Sequence, residues 1–454
     1  MNILGELKDN KGGIVLSATN PLYSRGGNQI GRGWRWILLI ESPPPPSSYS
    51  GLRYKIEVNY FPNTDIPDVR FASSIEHPAI DDHGNFNEQF MGSLNESGIV
   101  EIALLVYQLL QNPLKYVKRY TEEEVVGLWK EHEEGCSCAF FPLAYRELCL
   151  LEPTEKAARI LKTMSMLNRR VEVSVDNQRT YMENRIHTIT HYRPIHPELF
   201  DTNRGWHDEW FDKDFIEAIK TGTSIRIAAL MKEDCKGVYS FNMLSQLYCQ
   251  KLMEEIRNFE NSDLPKQRPN SMNNYGLILN NIGLEPMFDI FIEVYMKPIA
   301  TLLFSEFGGR SLDHHHTFVV EYKVGKDLSL DMHTDDSEVT LNVNLYDSFE
   351  GASLNFCGRR NAEHGAERKH ALTYNHKKGR AVVHLGSLRH GAAPITSGER
   401  FNLIVWGRSS QYREQGRHRE YYKHFEEVPD PICLSKTHDQ DYKYWKHVFE
   451  DKHI

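Results

Sequence analysis

The stretch HTDDSEVTLNVNLY, which begins at His333, most constrains what this chain can fold into. Its apolar residues are Val339, Leu341, Val343 and Leu345, and they alternate with the polar residues Thr340, Asn342 and Asn344. Alternation of this kind predicts a β-strand with one apolar and one polar face. The later segments GRAVVHLG and FNLIVWG predict two further strands, so we expect a β-rich core in this part of the chain.

Three residues around these strands have the character of metal ligands. His333 and Asp335 stand two residues apart, and side chains two apart in an extended segment lie on one face. His390, in the loop after GRAVVHLG, completes a set of two imidazoles and one carboxylate. That set is typical of non-haem Fe(II) oxygenases and leaves about three open positions on the metal. We therefore predict an iron site at His333, Asp335 and His390.

Arg400 stands ten residues after His390, at the start of the last predicted strand. A guanidinium binds two carboxylate oxygens at once and keeps its charge. We expect Arg400 to hold the far carboxylate of 2-oxoglutarate, whose other end would chelate the iron. The alternative is that His333 and Asp335 form an ordinary surface pair and that Arg400 is an ordinary edge-strand cation.

Other histidines compete with these ligands. His384 lies on a predicted strand six residues before His390, but only His390 has the ten-residue offset to Arg400. We expect His384 to support the site or to be a core histidine. The run 314–316 is predicted to be a solvated loop, because adjacent residues cannot all face one ion. The spaced histidines His187, His191 and His196 are given no role.

The segment from about Phe318 to Arg408 resembles the catalytic core of 2-oxoglutarate and Fe(II)-dependent oxygenases of the prolyl and lysyl hydroxylase type. It is most similar to the group of 2-oxoglutarate and iron-dependent oxygenase domain-containing protein 2. The resemblance implies that His333, Asp335 and His390 bind iron and that Arg400, Tyr322 and Asn342 contact 2-oxoglutarate. It also implies a double-stranded β-helix, or jelly roll, with supporting helices.

The same resemblance implies a reaction. The expected enzyme is a dioxygenase that hydroxylates a protein side chain, lysine or proline, and releases succinate and CO2. Ascorbate is the reductant that such enzymes use, and an unknown protein is the expected substrate. The alternative function is a ubiquitin-pathway binding or adaptor protein with a vestigial oxygenase core.

The first part of the chain predicts a different unit. Trp34 to Glu41, RYKIEVNYF and DVRFASS read as consecutive strands, and SPPPPSSYSG is a rigid loop between the first two. A helix from Ile99 to Asn112 should end before Pro113. A second helix should start at Thr121, which forms a capping box with Glu124. A meander sheet followed by helices is an α+β unit.

This unit resembles the ubiquitin-conjugating enzyme fold through EVNYFPN, TDIPDVRF and HPAIDDHGNF. Active conjugating enzymes have His-Pro-Asn at the last stretch and a catalytic cysteine ten residues after that histidine. Ala79 and Asn87 occupy those two positions here. Because a thioester needs a thiol, the resemblance implies an inactive variant, with ubiquitin or its pathway proteins as candidate partners.

The expected organisation has five segments. Residues 1–130 form the ubiquitin-conjugating-enzyme-like domain, 131–155 a linker, 156–312 the helical support region, 313–410 the jelly-roll core and 411–454 a C-terminal extension. Helices are expected at Thr154–Leu167, Asp208–Lys220, Phe241–Phe259 and Met287–Phe307, where apolar residues recur at three- and four-residue spacing.

Composition agrees with an intracellular enzyme, cytoplasmic or nuclear. The net charge of −9 argues against a generic nucleic-acid binder, which would present a basic surface. The first residues, MNILGELKDN, do not read as a signal peptide, and no apolar run is long enough to span a membrane. Seven scattered cysteines suit a reducing compartment, and the close pair Cys136 and Cys138 is expected to lie in the linker rather than to bind zinc.

Overall fold

The structure is a computed structural model. It describes residues 14–18, 22–23, 32–41, 53–60, 67–71, 79–80, 86–94, 99–111, 119–131, 140–141, 143–359, 368–414 and 428–435. The chain divides into two compact units, Met1–Ile186 and His187–Ile454. The loop with four prolines and the pair Cys136 and Cys138 lie outside the described residues.

The first unit contains an antiparallel meander. Its strands are β1 (Ile14–Ala18), β2 (Leu22–Tyr23), β3 (Arg32–Glu41), β4 (Arg53–Tyr60) and β5 (Asp68–Phe71). The order in the sheet is β1-β3-β4-β5, with β2 also on β3. The three predicted strands are therefore confirmed as β3, β4 and β5, and residues 72–74 of the third lie outside the described residues.

Helices follow the meander. They are α1 (Glu88–Gly92), α2 (Ile99–Gln111), α3 (Glu122–Glu131), α4 (Tyr145–Cys149) and α5 (Pro153–His191). The capping box is confirmed, since the Thr121 N–H donates to the Glu124 carboxylate at 3.0 Å and the Glu124 N–H donates to the Thr121 hydroxyl. Helix α5 is longer than its predicted end at Leu167, because only one stripe of it needs to be apolar for burial.

Two apolar cores stabilise this unit. Side chains from the sheet, among them Ile56 and Val58, pack against Ile102 and Val106 of α2. A second cluster joins α3 to α5 through residues such as Trp129. Part of the predicted linker, including Phe141 and Leu148, belongs to that second cluster.

The second unit is built around a large antiparallel sheet. Its strands are β6 (Lys232–Cys235), β7 (Val238–Asn242), β8 (Gly276–Ile278), β9 (His314–Lys323), β11 (Val339–Asn344), β12 (Phe349–Gly351), β15 (Arg380–Leu385) and β17 (Ile395–Arg408). The order is β6-β7-β15-β11-β17-β9-β8, and β12 pairs with β17. Strands β6, β7 and β8 come from the predicted helical support region, so that prediction was incomplete.

A smaller sheet lies against one face of the large sheet. It consists of β10 (Leu330–His333), β13 (Leu354–Arg359), β14 (Leu372–Tyr374) and β16 (Leu388–Ala392), in the order β10-β16-β13-β14. Side chains of the two sheets meet in shared apolar clusters, for example Leu354 and Phe356 with Val382. Two facing antiparallel sheets form the predicted jelly-roll fold.

Helices cover the other face of the large sheet. They are α6 (Lys213–Thr221), α7 (Ser224–Leu230), α8 (Gln246–Glu260), α9 (Glu285–Phe291) and α10 (Lys297–Phe304), with a π-helical turn at Ile292–Met296, and α11 (Ser410–Glu414) follows the sheet. The apolar face of β11 packs against them, while Thr340 and Asn342 face the smaller sheet. The two-faced strand predicted from the sequence is therefore confirmed.

One predicted helix starts in the wrong place. Residues from Phe241 were expected to be helical, but Phe241 pairs with Ala381 in the large sheet and the helix begins at Gln246. Backbone pairing with β15 outweighs the helical spacing of the apolar residues there.

The cysteines also depart from the prediction. Cys357 and Cys433, 76 residues apart in sequence, form a disulfide. Both are buried and pack beside Met332, so a loop and the strand β13 are joined across the fold. The two residues are too far apart in sequence for their spacing to predict a disulfide. The expectation of reduced cysteines was therefore wrong for Cys357 and Cys433. Cys149, Cys235 and Cys249 are free.

Candidate metal centre and co-substrate cavity

His333, Asp335 and His390 come together in the second unit. His333 is the last residue of β10 and lies directly opposite His390 on β16. Asp335 follows β10 by two residues. One ligand atom from each of the three lies within 4.8 Å of the others. The His333 Nε2 is 3.4 Å from Asp335 Oδ1, and the His390 Nε2 is 3.5 Å from Asp335 Oδ2.

Backbone carbonyls orient both imidazoles. The Nδ1 atoms of His333 and His390 lie 2.7 Å and 2.9 Å from the carbonyl oxygens of Asp331 and Leu388. A carbonyl can only accept, so each ring carries a proton on Nδ1, and it is Nε2 that is directed towards Asp335 and could offer its electron pair to a metal. Hydrogen bonds of this kind are what fix the ring orientation of metal-binding histidines.

The carboxylate is fixed as well. The Thr340 hydroxyl donates to Asp335 Oδ2 at 2.6 Å, and the Asp335 N–H donates to the Gly386 carbonyl at 2.9 Å. Burial disfavours the charged form, but attraction from His390 and His333 outweighs it and holds the pKa of Asp335 below its usual range. Burial lowers the pKa of His390 to about 3, so its imidazole is neutral at pH 7.

The three residues fit Fe(II). Two imidazoles and one carboxylate are the ligand types of the facial triad. Within the described part of the chain, no further histidine, cysteine or acid joins this group. Positions on the metal would therefore stay open for a chelating co-substrate.

Arg400 lies on the inner face of β17 and is 1% exposed. Its Nε donates to Asn402 Oδ1 at 2.7 Å, its Nη1 to the Ala352 carbonyl, and its Nη2 to His376 Nε2 at 2.9 Å. The guanidinium carbon is 5.0 Å from the centre of the Tyr322 ring. Burial lowers the pKa of Arg400 to about 10, so it remains charged at pH 7.

This buried cation fits a carboxylate ligand. Among the described residues, no acidic side chain lies within ion-pair distance of Arg400. A buried charge without a counterion is costly, so a bound anion would stabilise the site. One cavity is lined both by the three metal-site residues and by Arg400. A dicarboxylate could therefore reach both.

The predicted contacts Tyr322 and Asn342 also line this cavity. The Tyr322 hydroxyl accepts a hydrogen bond from Asn273 Nδ2 at 3.3 Å, and burial raises the pKa of this phenol, so it stays neutral. Asn342 Oδ1 accepts from Asn402 Nδ2, which ties it to the Arg400 network. The cavity brings all six predicted site residues together.

Sequence reasoning missed the residues that support this site. Thr340, Asn402 and His376 each bond to a predicted site residue. Strand alternation could have found Asn402, which shares an inner face with Arg400. His376 lies in a turn after β14 and no local pattern marks it.

The other histidines do not enter the metal centre. His384 is buried with its Nδ1 on the Leu385 carbonyl, and its ring centre lies 4.6 Å from that of His390. His314 to His316 begin strand β9 and His315 is buried, so the predicted solvated loop was wrong. Strand pairing with β17 satisfies their backbone there.

The spaced histidines form smaller contacts. His187 and His191 lie one helical turn apart with tilted rings whose centres are 4.2 Å apart, and His196 bonds to Glu254 at 2.7 Å. In the described residues they belong to no group of three ligands.

The sequence is similar to those of known proteins. The family model of the OGFOD2-like domain matches residues 188–309. The 2-oxoglutarate and iron-dependent oxygenase domain-containing protein 2 of Xenopus tropicalis is 36% identical over 256 residues, which cover 54% of this chain and 72% of that protein. The chain belongs to this oxygenase family.

A second member, the protein CP2 of Arabidopsis thaliana, is 39% identical over 243 residues, covering 52% of this chain and 61% of that protein. Iron and 2-oxoglutarate are therefore the metal and co-substrate of this oxygenase. A solved prolyl-4-hydroxylase from Pseudomonas putida aligns at 17% identity over 38% of this chain and 92% of its own, with a TM-score of 0.28, which carries no inference. None of the described helices is long and apolar enough to cross a membrane.

Proposed function

We propose that the chain hydroxylates a protein side chain, with conversion of 2-oxoglutarate to succinate and CO2. The observation that carries this proposal is the single cavity lined by His333, Asp335, His390 and Arg400. Bound iron and 2-oxoglutarate supply the oxidising chemistry. The protein supplies the binding, the orientation and the exclusion of water.

Five polar residues of the cavity have a part in this proposal. His333, Asp335 and His390 hold the metal through atoms that hydrogen bonds already orient. Arg400 takes the far carboxylate of the co-substrate, and Tyr322 adds a neutral hydroxyl beside it. Because these groups are fixed before binding, little conformational freedom is lost when the co-substrate enters.

The charges of the cavity favour one substrate over another. Among its lining residues, Asp335 is the only acid and Arg400 the only lysine or arginine. Both have partners in the loaded site, so a protonated lysine would find no carboxylate there. A prolyl side chain needs none and would pack against apolar walls such as Phe318 and Trp406. We therefore favour proline over lysine as the target.

The test is Fe(II)-dependent formation of succinate from 2-oxoglutarate by the full chain, with ascorbate as the proposed reductant. His333→Ala and Arg400→Ala serve as matched inactive variants. A peptide pool from a proteome digest, analysed by mass spectrometry, shows where oxygen is added. We expect added oxygen on proline. Succinate formation no higher than in the variants would contradict the proposed activity.

We also propose that the first unit is a ubiquitin-conjugating-enzyme-like domain without transfer activity. The meander order β1-β3-β4-β5 and the following helices support this. Asn87, at the position expected for the cysteine, accepts the Phe90 N–H at 2.9 Å and caps α1. Saturable binding of ubiquitin to the full chain, without a trapped thioester, is the expected result. Binding by a chain that retains no iron would instead favour the adaptor function.

A further inference from the structure

The turn between β14 and β15 places one histidine beside Arg400, at the end of the cavity where the co-substrate carboxylate is expected. His376 lies two residues after Tyr374, whose ring it meets edge-on with centres 5.4 Å apart. Gly379 fixes the other side of this turn. Its N–H donates to the Asn344 carbonyl at 2.8 Å, and at φ +76° an added Cβ would lie 2.3 Å from the Leu244 carbonyl oxygen. The turn therefore has little freedom to move His376.

The hydrogen bonds of Arg400 show what His376 does. A guanidinium has five N–H donors. One bonds to Asn402, one to Ala352 and one to His376, so that each of the three nitrogens has one protein acceptor. Two N–H groups then remain, one on each terminal nitrogen, and the described residues offer them no partner. A carboxylate has two oxygens to receive these two donors.

The chemistry of the contact fixes the state of the imidazole. The His376 Nε2 lies 2.9 Å from Arg400 Nη2, and its Nδ1 lies 3.4 Å from the Asn402 amide nitrogen, which is also a donor. The contact with Arg400 is shorter and involves a charged donor, so Nε2 accepts there and the ring proton is assigned to Nδ1. Burial and the charge of Arg400 keep the pKa of His376 well below its usual value, so the ring stays neutral. A neutral acceptor fixes the guanidinium without cancelling its charge, which a carboxylate at the same place would do.

We propose that His376 is a positioning residue whose Nε2 holds the guanidinium of Arg400 so that its two free N–H groups face a dicarboxylic 2-oxo acid. This inference rests on the proposed function, because it assumes that Arg400 receives the co-substrate. His376 itself is not a residue that lines the cavity. Its effect on the ligand passes through Arg400.

The experiment compares two ligands on the full chain loaded with Mn(II), which occupies the site without oxidation. The first is 2-oxoglutarate and the second is 2-oxobutyrate, which keeps the chelating end and lacks the far carboxylate. The variants are His376→Leu, which removes the acceptor, and His376→Gln, whose side-chain oxygen replaces it. His370→Leu is the matched control, because that imidazole is exposed and bonds only to Thr373 in the described structure.

We expect His376→Leu to weaken 2-oxoglutarate binding about tenfold, because hydrogen bonds to charged groups are stronger than neutral ones. Binding of 2-oxobutyrate should not change. His376→Gln should restore most of the loss, and His370→Leu should bind both ligands as the wild type does.

Several results would overturn the inference while the proposed function stands. In each of them the wild type binds 2-oxoglutarate more tightly than 2-oxobutyrate. The inference fails if His376→Leu keeps the wild-type preference or weakens the binding of both ligands equally. It also fails if His376→Gln binds 2-oxoglutarate no better than His376→Leu does. If the wild type itself shows no preference for 2-oxoglutarate, the role proposed for Arg400 fails and the inference fails with it.

Discussion

His333 and His390 lie directly opposite each other on the antiparallel strands β10 and β16, with ring centres 4.3 Å apart. This register brings two imidazoles to one point and places Asp335 between them. The metal centre therefore belongs to the smaller sheet, while Arg400 belongs to the larger one. Binding of iron and 2-oxoglutarate together should join the two sheets across the cavity.

The hydroxyl of Thr340 links the two sheets already, and its removal should weaken the metal centre. Thr340→Val keeps the side-chain shape but leaves Asp335 without its donor at 2.6 Å. We expect Mn(II) affinity to fall about tenfold to a hundredfold, as for other groups that orient a metal ligand. Titration of the metal measures this. Thr373→Val, which removes a hydroxyl bonded to Asn355, is the control and should bind metal as the wild type does.

Arg400→Lys should separate charge from geometry. Lysine keeps the positive charge but cannot present two N–H groups in a planar fork. We expect the KM for 2-oxoglutarate to rise at least about tenfold, while metal binding stays unchanged. The control is Arg408→Lys on the same strand, whose guanidinium bonds to Asp336 outside the cavity. Equal KM values for wild type and Arg400→Lys would remove Arg400 from the proposed binding site.

Local sequence patterns predicted most of the features that belong to a single strand, such as which side chains share a face. The two faces of β11 follow from alternation, and the shared face of His333 and Asp335 follows from their spacing. Alternation cannot show which strands pair, so the meeting of His333 with His390 was inferred from ligand chemistry. The strand at Phe241 was misread for the same reason, because its pairing partner Ala381 lies far away in sequence.

Residues that make contacts from turns and loops follow no such periodic pattern in the sequence. His376 reaches Arg400 from a turn, and Cys433 reaches Cys357 over 76 residues. Both depend on how the sheets pack, which no local spacing encodes. The residues that support the site could therefore not be predicted from the sequence, although its metal ligands could.

The role of Tyr322 can be tested by removing its hydroxyl. If this hydroxyl contacts the co-substrate, Tyr322→Phe should raise the KM for 2-oxoglutarate about fivefold, which corresponds to the typical net free energy of one neutral hydrogen bond. If it bonds only to Asn273, stability should fall and KM should not change. Tyr275→Phe, at a tyrosine that is 40% exposed, is the control and should alter neither.

The disulfide between Cys357 and Cys433 should stabilise the second unit. Its loss by Cys357→Ser should lower the free energy of unfolding by about 2–4 kcal/mol, since a cross-link restricts the unfolded chain. Urea unfolding measures this. Adding a thiol reductant to the wild type should cause a similar loss, whereas Cys235→Ser, at a free cysteine, should leave stability nearly unchanged. If reductant does not alter the wild-type unfolding curve, the two cysteines are not bonded in solution or their bond does not contribute to stability.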